Sequence, residues 1–148
     1  MTRTLSEDEV KRLVEVAKES RDFAMAFKSV TRVGASVLAE GGEVFGGCNV
    51  DGVASGQGTC AERSAVNHAV AHGKYRFSGL CTYGDDLCWP CGDCLQYALM
   101  FCQVTGGDIQ VVVAAENRPP RFSSVKELLP HGFMTKQFGD RLKEYFLN

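Results

Sequence analysis

Two cysteine-bearing segments constrain this chain more than any other feature. Cys60-Ala61-Glu62-Arg63 and Pro90-Cys91-Gly92-Asp93-Cys94 each stand where the surrounding residues signal the start of a helix. The two thiolates of a Cys-x-x-Cys turn can reach one ion, and a third thiolate joins them only if the fold brings both helix starts together. Such a set fills three corners of a tetrahedron and leaves the fourth open, as in a catalytic rather than a structural metal site. Glu62, two residues beyond Cys60, adds a carboxylate suited to proton transfer beside the ion.

The remaining composition says in what setting these thiols work. Seven cysteines are many for 148 residues, and an odd number does not suit a closed disulfide framework. The opening Met1-Thr2-Arg3 and Ser6-Glu7-Asp8-Glu9 lack the basic-then-apolar order of a secretory leader, and no apolar run approaches the ~18 residues that span a bilayer. The expectation is a cytoplasmic protein with reduced thiols and no membrane association. Eighteen acids against sixteen Lys and Arg give a net charge of −2, which argues against the basic footprint of a nucleic-acid binder. No repeat or Pro/Ser-rich linker divides the chain, so residues 1–148 are expected to form one domain.

Local signals predict the elements. Ser6 and Glu9 read as a capping box opening a helix from Glu7 to Phe27, with Val10, Leu13, Val14 and Ala17 at helical spacing. Arg32 to Ala39 and Glu43 to Val50 read as strands joined by Glu40-Gly41-Gly42. Thr59-Cys60-Ala61-Glu62 reads as a second capping box, starting a helix that ends near Gly73. Phe77 to Tyr83 and Ile109 to Ala115 read as further strands and Gly92 to Gln103 as a helix. Ser124 to Leu129 reads as a capped turn of helix, and Lys136 to Phe146 as a last helix. Strands alternating with helices after a hairpin imply an α/β fold, a mixed sheet with helices on both faces.

Three protein ligands, a glutamate two residues after the first, and a downstream Pro-Cys-x-x-Cys pair are the layout of zinc deaminases of nucleobases, here in a three-cysteine version. Glu62 would take a proton from water and deliver protons to the ring nitrogen and the departing ammonia. Three thiolates and one dication sum to −1, so the site calls for nearby positive charge. Two helix N-termini, each worth roughly +0.5 charge, and Arg63 can supply it.

The sequence resembles the homotetrameric cytidine deaminase family and its relatives the blasticidin S deaminases. The likeness starts near Val33-Gly34-Ala35 and passes through Gly46-Gly47-Cys48-Asn49-Val50-Asp51 and the two cysteine segments. It continues through Leu95-Gln96 to Glu127-Leu128-Leu129-Pro130. The resemblance implies a three-layer fold around a mixed five-stranded sheet, and one zinc per subunit on Cys60, Cys91 and Cys94. It implies Glu62 as proton shuttle, the Ala61 backbone at the pyrimidine edge, Asn49 and Asp51 on the ribose hydroxyl, and Arg63 and Gln96 in supporting positions. It also implies that Phe133 reaches the base bound by a neighbouring subunit, and hence a homotetramer. The implied reaction is hydrolysis of the amidine C–N bond of cytidine or deoxycytidine in pyrimidine salvage, with a modified cytosine nucleoside as the alternative substrate. Four positions depart from the family pattern: Asp51 for glutamate, Thr31 for an aromatic, Ser55 for tyrosine, and Leu95 for the arginine after the last ligand.

Blander readings stand beside these. Cys88 with Cys60, Cys91 and Cys94 could close a four-thiolate structural site, making the chain a zinc-stapled binding module. The Cys88-x-x-Cys91-x-x-Cys94 run also suits an iron-sulfur cluster, but Ala98 stands where a fourth cysteine is expected. Cys48, Cys81 and Cys102 read as small buried hydrophobes. His68 and His72 have the spacing of a metal pair, or simply cap and pack. Asn49 and Asp51 could build a turn, Arg63 could be a solvated charge, and Phe133 could belong to the core.

Overall fold

Ser6 opens the first helix with a reciprocal cap: its hydroxyl accepts from the Glu9 N–H at 3.1 Å, and the Glu9 carboxylate accepts from the Ser6 N–H at 2.9 Å. The computed structural model describes residues 3–147, so Met1, Thr2 and Asn148 of the sequence lie outside it. Helix α1 spans Glu7–Arg21, ending short of the expected Phe27. Beyond Asp22 the chain bonds to a distant loop instead. Met25 N–H donates to Asn49 O at 3.0 Å, and Met25 O accepts from Asp51 N–H at 2.8 Å. Those bonds satisfy backbone groups that a longer helix would otherwise have used.

Strands β1 (Gly34–Ala39) and β2 (Val44–Cys48) form the expected hairpin, followed by α2 (Ala61–Ala71), β3 (Phe77–Gly84), α3 (Gly92–Thr105) and β4 (Gln110–Ala115). A fifth strand, β5 (Arg118–Ser124), precedes the short helices α4 (Val125–Leu128) and α5 (Lys136–Leu142) and a 3-10 turn at Lys143–Leu147. The sheet order is β2-β1-β3-β4-β5, with β3 and β4 parallel and every other pair antiparallel. This is the expected mixed α/β sheet. Local signals missed β5 because Pro119 and Pro120 lie in it and most of it is exposed; an edge strand tolerates residues without an N–H.

The second helix start also differs from expectation. Cys60, not Thr59, takes the N-cap position of α2. Thr59 exchanges both backbone bonds with Val50, at 2.9 and 3.0 Å, so Thr59 and Glu62 form no capping box.

Alternating strand residues feed two apolar layers. Leu13 and Ala17 of α1 pack on Leu38, Cys81, Tyr83 and Val112 on one face, while Ala65 and Val66 of α2 and Ala98 and Phe101 of α3 pack on Val37, Leu80, Val111 and Val113 on the other. Two glycines set how close the helices come. A Cβ at Gly34 would lie 1.8 Å from Ala17 O, and one at Gly47 would lie 2.3 Å from Ala65 N and 2.8 Å from Ala61 O. Backbone therefore meets backbone where β2 supports the start of α2. Gly47→Ala is expected to destabilise the fold by about 1–3 kcal/mol through overpacking. Gly139→Ala, at a helical glycine whose Cβ would meet open space, is expected to leave the thermal midpoint unchanged or raised. Thermal unfolding of the two variants checks both.

Candidate metal centre and active site

Cysteine occupies the N-cap position of both α2 and α3: Cys60 (φ −69°, ψ 155°) and Cys91 (φ −70°, ψ 165°). N-caps are ordinarily Ser, Thr, Asp or Asn, whose oxygens accept a helix N–H. Neither thiol does so here, which leaves each sulfur available as a ligand at the positive end of a helix. Cys94 lies in the first turn of α3 and is buried, and the three sulfurs all lie within 4.8 Å of one another. Three soft donors at two positive helix ends suit a thiophilic dication such as zinc. Cys88 does not belong to this cluster, so the four-thiolate and iron-sulfur readings lack their geometry.

Glu62 sits in the first turn of α2 with 6% of its surface exposed. Burial pushes its carboxyl above the ordinary carboxylate range, and its partner is the Cys94 thiol. Burial, then the adjacent Glu62 carboxylate, pushes the Cys94 thiol up in turn. Burial and mutual proximity thus make the charged form of each group costlier than in water, a cost that a bound dication would relieve. Arg63 places Nη2 3.9 Å from Cys60 Sγ and 3.4 Å from the Asp93 carboxylate. It is not a freely solvated charge. Leu95 is buried and apolar, whereas Arg63 brings a guanidinium to this cluster.

Cys60, Cys91 and Glu62 open onto a cavity of about 380 Å³, which Ala61, Asn49 and Asp51 also line. Asn49 Oδ1 accepts from Val33 N–H and its Nδ2 donates to Thr31 O, both at 2.8 Å. The Asp51 carboxylate accepts from the Ser29 N–H at 2.7 Å and the Lys28 N–H at 2.9 Å, and these bonds hold its carboxyl below the ordinary range. Both side chains therefore build the loop over residues 28–33 while facing the cavity, so the turn-building reading and the cavity reading hold together.

Phe133 is 67% exposed, which rules out a core role, and it does not line its own chain's cavity. Gln96 clamps its backbone, donating to Phe133 O at 2.6 Å and accepting from its N–H at 2.7 Å. Both line a separate cleft of about 630 Å³ between α3 and the C-terminal helices. Cys81 and Cys102 are buried thiols pushed up to about 12, and burial also raises Cys48. His68 and His72 each bond a backbone carbonyl and pack on Phe45. The cavity also gathers Thr31, Val33, Cys88 and Trp89, which sequence reasoning did not assign to a site wall as a group. The one available signal was that Cys88 and Trp89 immediately precede the Pro90-Cys91 turn.

Residues 7–106 match the family model of the cytidine and deoxycytidylate deaminase zinc-binding region. The chain belongs to this family. It is 33% identical over 129 residues to a probable cytidine deaminase of Dictyostelium discoideum, a match covering 85% of this chain and 84% of that protein. It is also 33% identical over 127 residues to a cytidine deaminase of Sporosarcina psychrophila, covering 84% and 91% respectively. The structure of a cytidine deaminase from Burkholderia pseudomallei superposes with a TM-score of 0.76 at 32% identity, over 87% of this chain and all of that one. Family membership and the three-cysteine cluster together make this a zinc-binding deaminase domain. Cys91→Ser is expected to lower bound zinc well below one ion per chain, whereas Cys88→Ser is expected to retain it; elemental analysis of the purified proteins checks this.

Proposed function

We propose that this protein catalyses the hydrolytic deamination of cytidine and deoxycytidine to uridine and deoxyuridine, releasing ammonia. The observation that carries the reading is a buried carboxylate, Glu62, opening onto the same cavity as a three-thiol cluster that fits zinc. The relatives named cytidine deaminase support the choice of substrate.

Cys60, Cys91 and Cys94 would hold the ion. When bound, zinc supplies the Lewis acidity that makes water nucleophilic near neutral pH. Glu62 takes a proton from the attacking water and delivers it to ring N3. It then carries the second proton to the exocyclic nitrogen as the C4–N bond breaks, so that water and the amine become a C4 carbonyl and ammonia. Its buried setting favours this role, because a carboxyl raised by desolvation binds a proton more readily than a solvated one. The Arg63 guanidinium offsets the excess negative charge of three thiolates. The Ala61 backbone meets the base edge. Asn49 and Asp51, having fixed the loop over residues 28–33, retain unused lone pairs for the ribose hydroxyl.

Replacing Glu62 by Gln keeps the shape and removes the proton carrier. Glu62→Gln is expected to reduce kcat for cytidine by at least about a hundredfold while retaining about one zinc per chain, read from the cytidine-to-uridine absorbance change and metal analysis. Turnover close to wild type would overturn the assigned role.

The working unit in this proposal is a homotetramer in the cytoplasm serving pyrimidine salvage, in which Phe133 closes a neighbouring chain's cavity. Its exposure and its absence from its own chain's cavity wall support that placement. No helix among the described residues is long and apolar enough to cross a membrane. Sedimentation is expected to show a species close to four times the 16.1 kDa of one chain; a fully active monomer would contradict the shared site.

A further inference from the structure

The polar end of the cavity accounts for the amine, the attacking water and the sugar, but a flat pyrimidine ring also needs a wall to lie against. Trp89 is the one aromatic side chain among the residues lining that cavity. The residue is 40% exposed, although burying an aromatic of that size is worth more than burying most side chains. No ring contact or hydrogen bond from the described residues engages it.

Its backbone, in contrast, is pinned on both sides. The Cys88 carbonyl accepts from Thr82 Oγ1 at 2.7 Å, Pro90 restricts the conformation of the residue before it, and Cys91 is already the N-cap of α3. A rigidly mounted, partly solvated π face at the edge of a cavity of about 380 Å³ is arranged to receive a planar ligand. Bases stack on such faces irrespective of their hydrogen-bonding edge.

We propose that the Trp89 indole is the platform on which the pyrimidine ring of the nucleoside stacks, making Trp89 a determinant of substrate affinity. The proposal rests on the cytidine deaminase reading for the identity of the base. Stacking on a flat wall is made equally in the ground and transition states, so its loss raises KM with little change in kcat.

Trp89 is the only tryptophan in the sequence, so intrinsic fluorescence reports on this position alone. The zinc-loaded full chain is titrated with uridine, the product, which requires no turnover, and with ribose. The expected result is a saturable fluorescence change with uridine and none with ribose. In parallel, Trp89→Ala is expected to raise KM for cytidine by about fivefold to a hundredfold with kcat within about threefold, and Trp89→Phe to restore KM to within about threefold of wild type.

Fluorescence unmoved by saturating uridine, or a wild-type KM in Trp89→Ala, would overturn the proposal. Should Trp89→Ala fail to fold, the wild-type titration and the Phe variant still decide it. A zinc-loaded wild type that does not turn over cytidine overturns the deaminase reading separately. In that case a uridine-specific change still supports stacking, and its absence overturns stacking as well.

Discussion

The convergence of two helix N-termini is the constraint on which the rest of the site depends. Cys60 and Cys91 cap α2 and α3 without bonding their N–H groups, and Cys94 closes the set from the first turn of α3. Thiols this close, with one deeply buried, gain little from packing alone. They become favourable when a dication shares them and the helix ends offset their charge. The sheet enforces the meeting. Gly47 lets β2 approach the α2 backbone directly, and the two helices share an apolar layer over β1, β3 and β4.

Glu62 follows from the same constraint. A helix that starts at Cys60 carries Glu62 on its first turn, close enough to Cys94 for the carboxyl and thiol to perturb each other. The pairing of Thr59 with Val50 leaves Cys60 as the N-cap of α2, so Glu62 falls in the first turn, buried and lining the cavity. Asn49 and Asp51 show the opposite economy, anchoring the loop over residues 28–33 and facing the cavity at once.

Much of this was legible in the sequence where the cause is local. The capping box at Ser6 and Glu9, the hairpin glycines and the Ser124 cap all act over three or four residues, and each element starts where they place it. The failures lie where distant chain intervenes. Helix α1 stops at Arg21 because Met25 pairs with the loop around Val50, and β5 forms through two prolines because the edge of β4 offers it partners. Trp89 carries no periodic signal, since its importance comes from which cavity it borders.

By itself, the sequence determined the donors and their spacing: a Cys-x-x-Cys turn, a third cysteine with Glu62 two residues on, and helix signals at both places. Backbone geometry over a few residues is enough to make those statements. Only the tertiary structure decided that Cys60 joins Cys91 and Cys94 while Cys88 stays outside, that Glu62 is buried, and that Phe133 is exposed and absent from the wall of its own chain's cavity. These depend on how a sheet packs two helices across long sequence separations, a balance of burial and backbone pairing that no local pattern encodes.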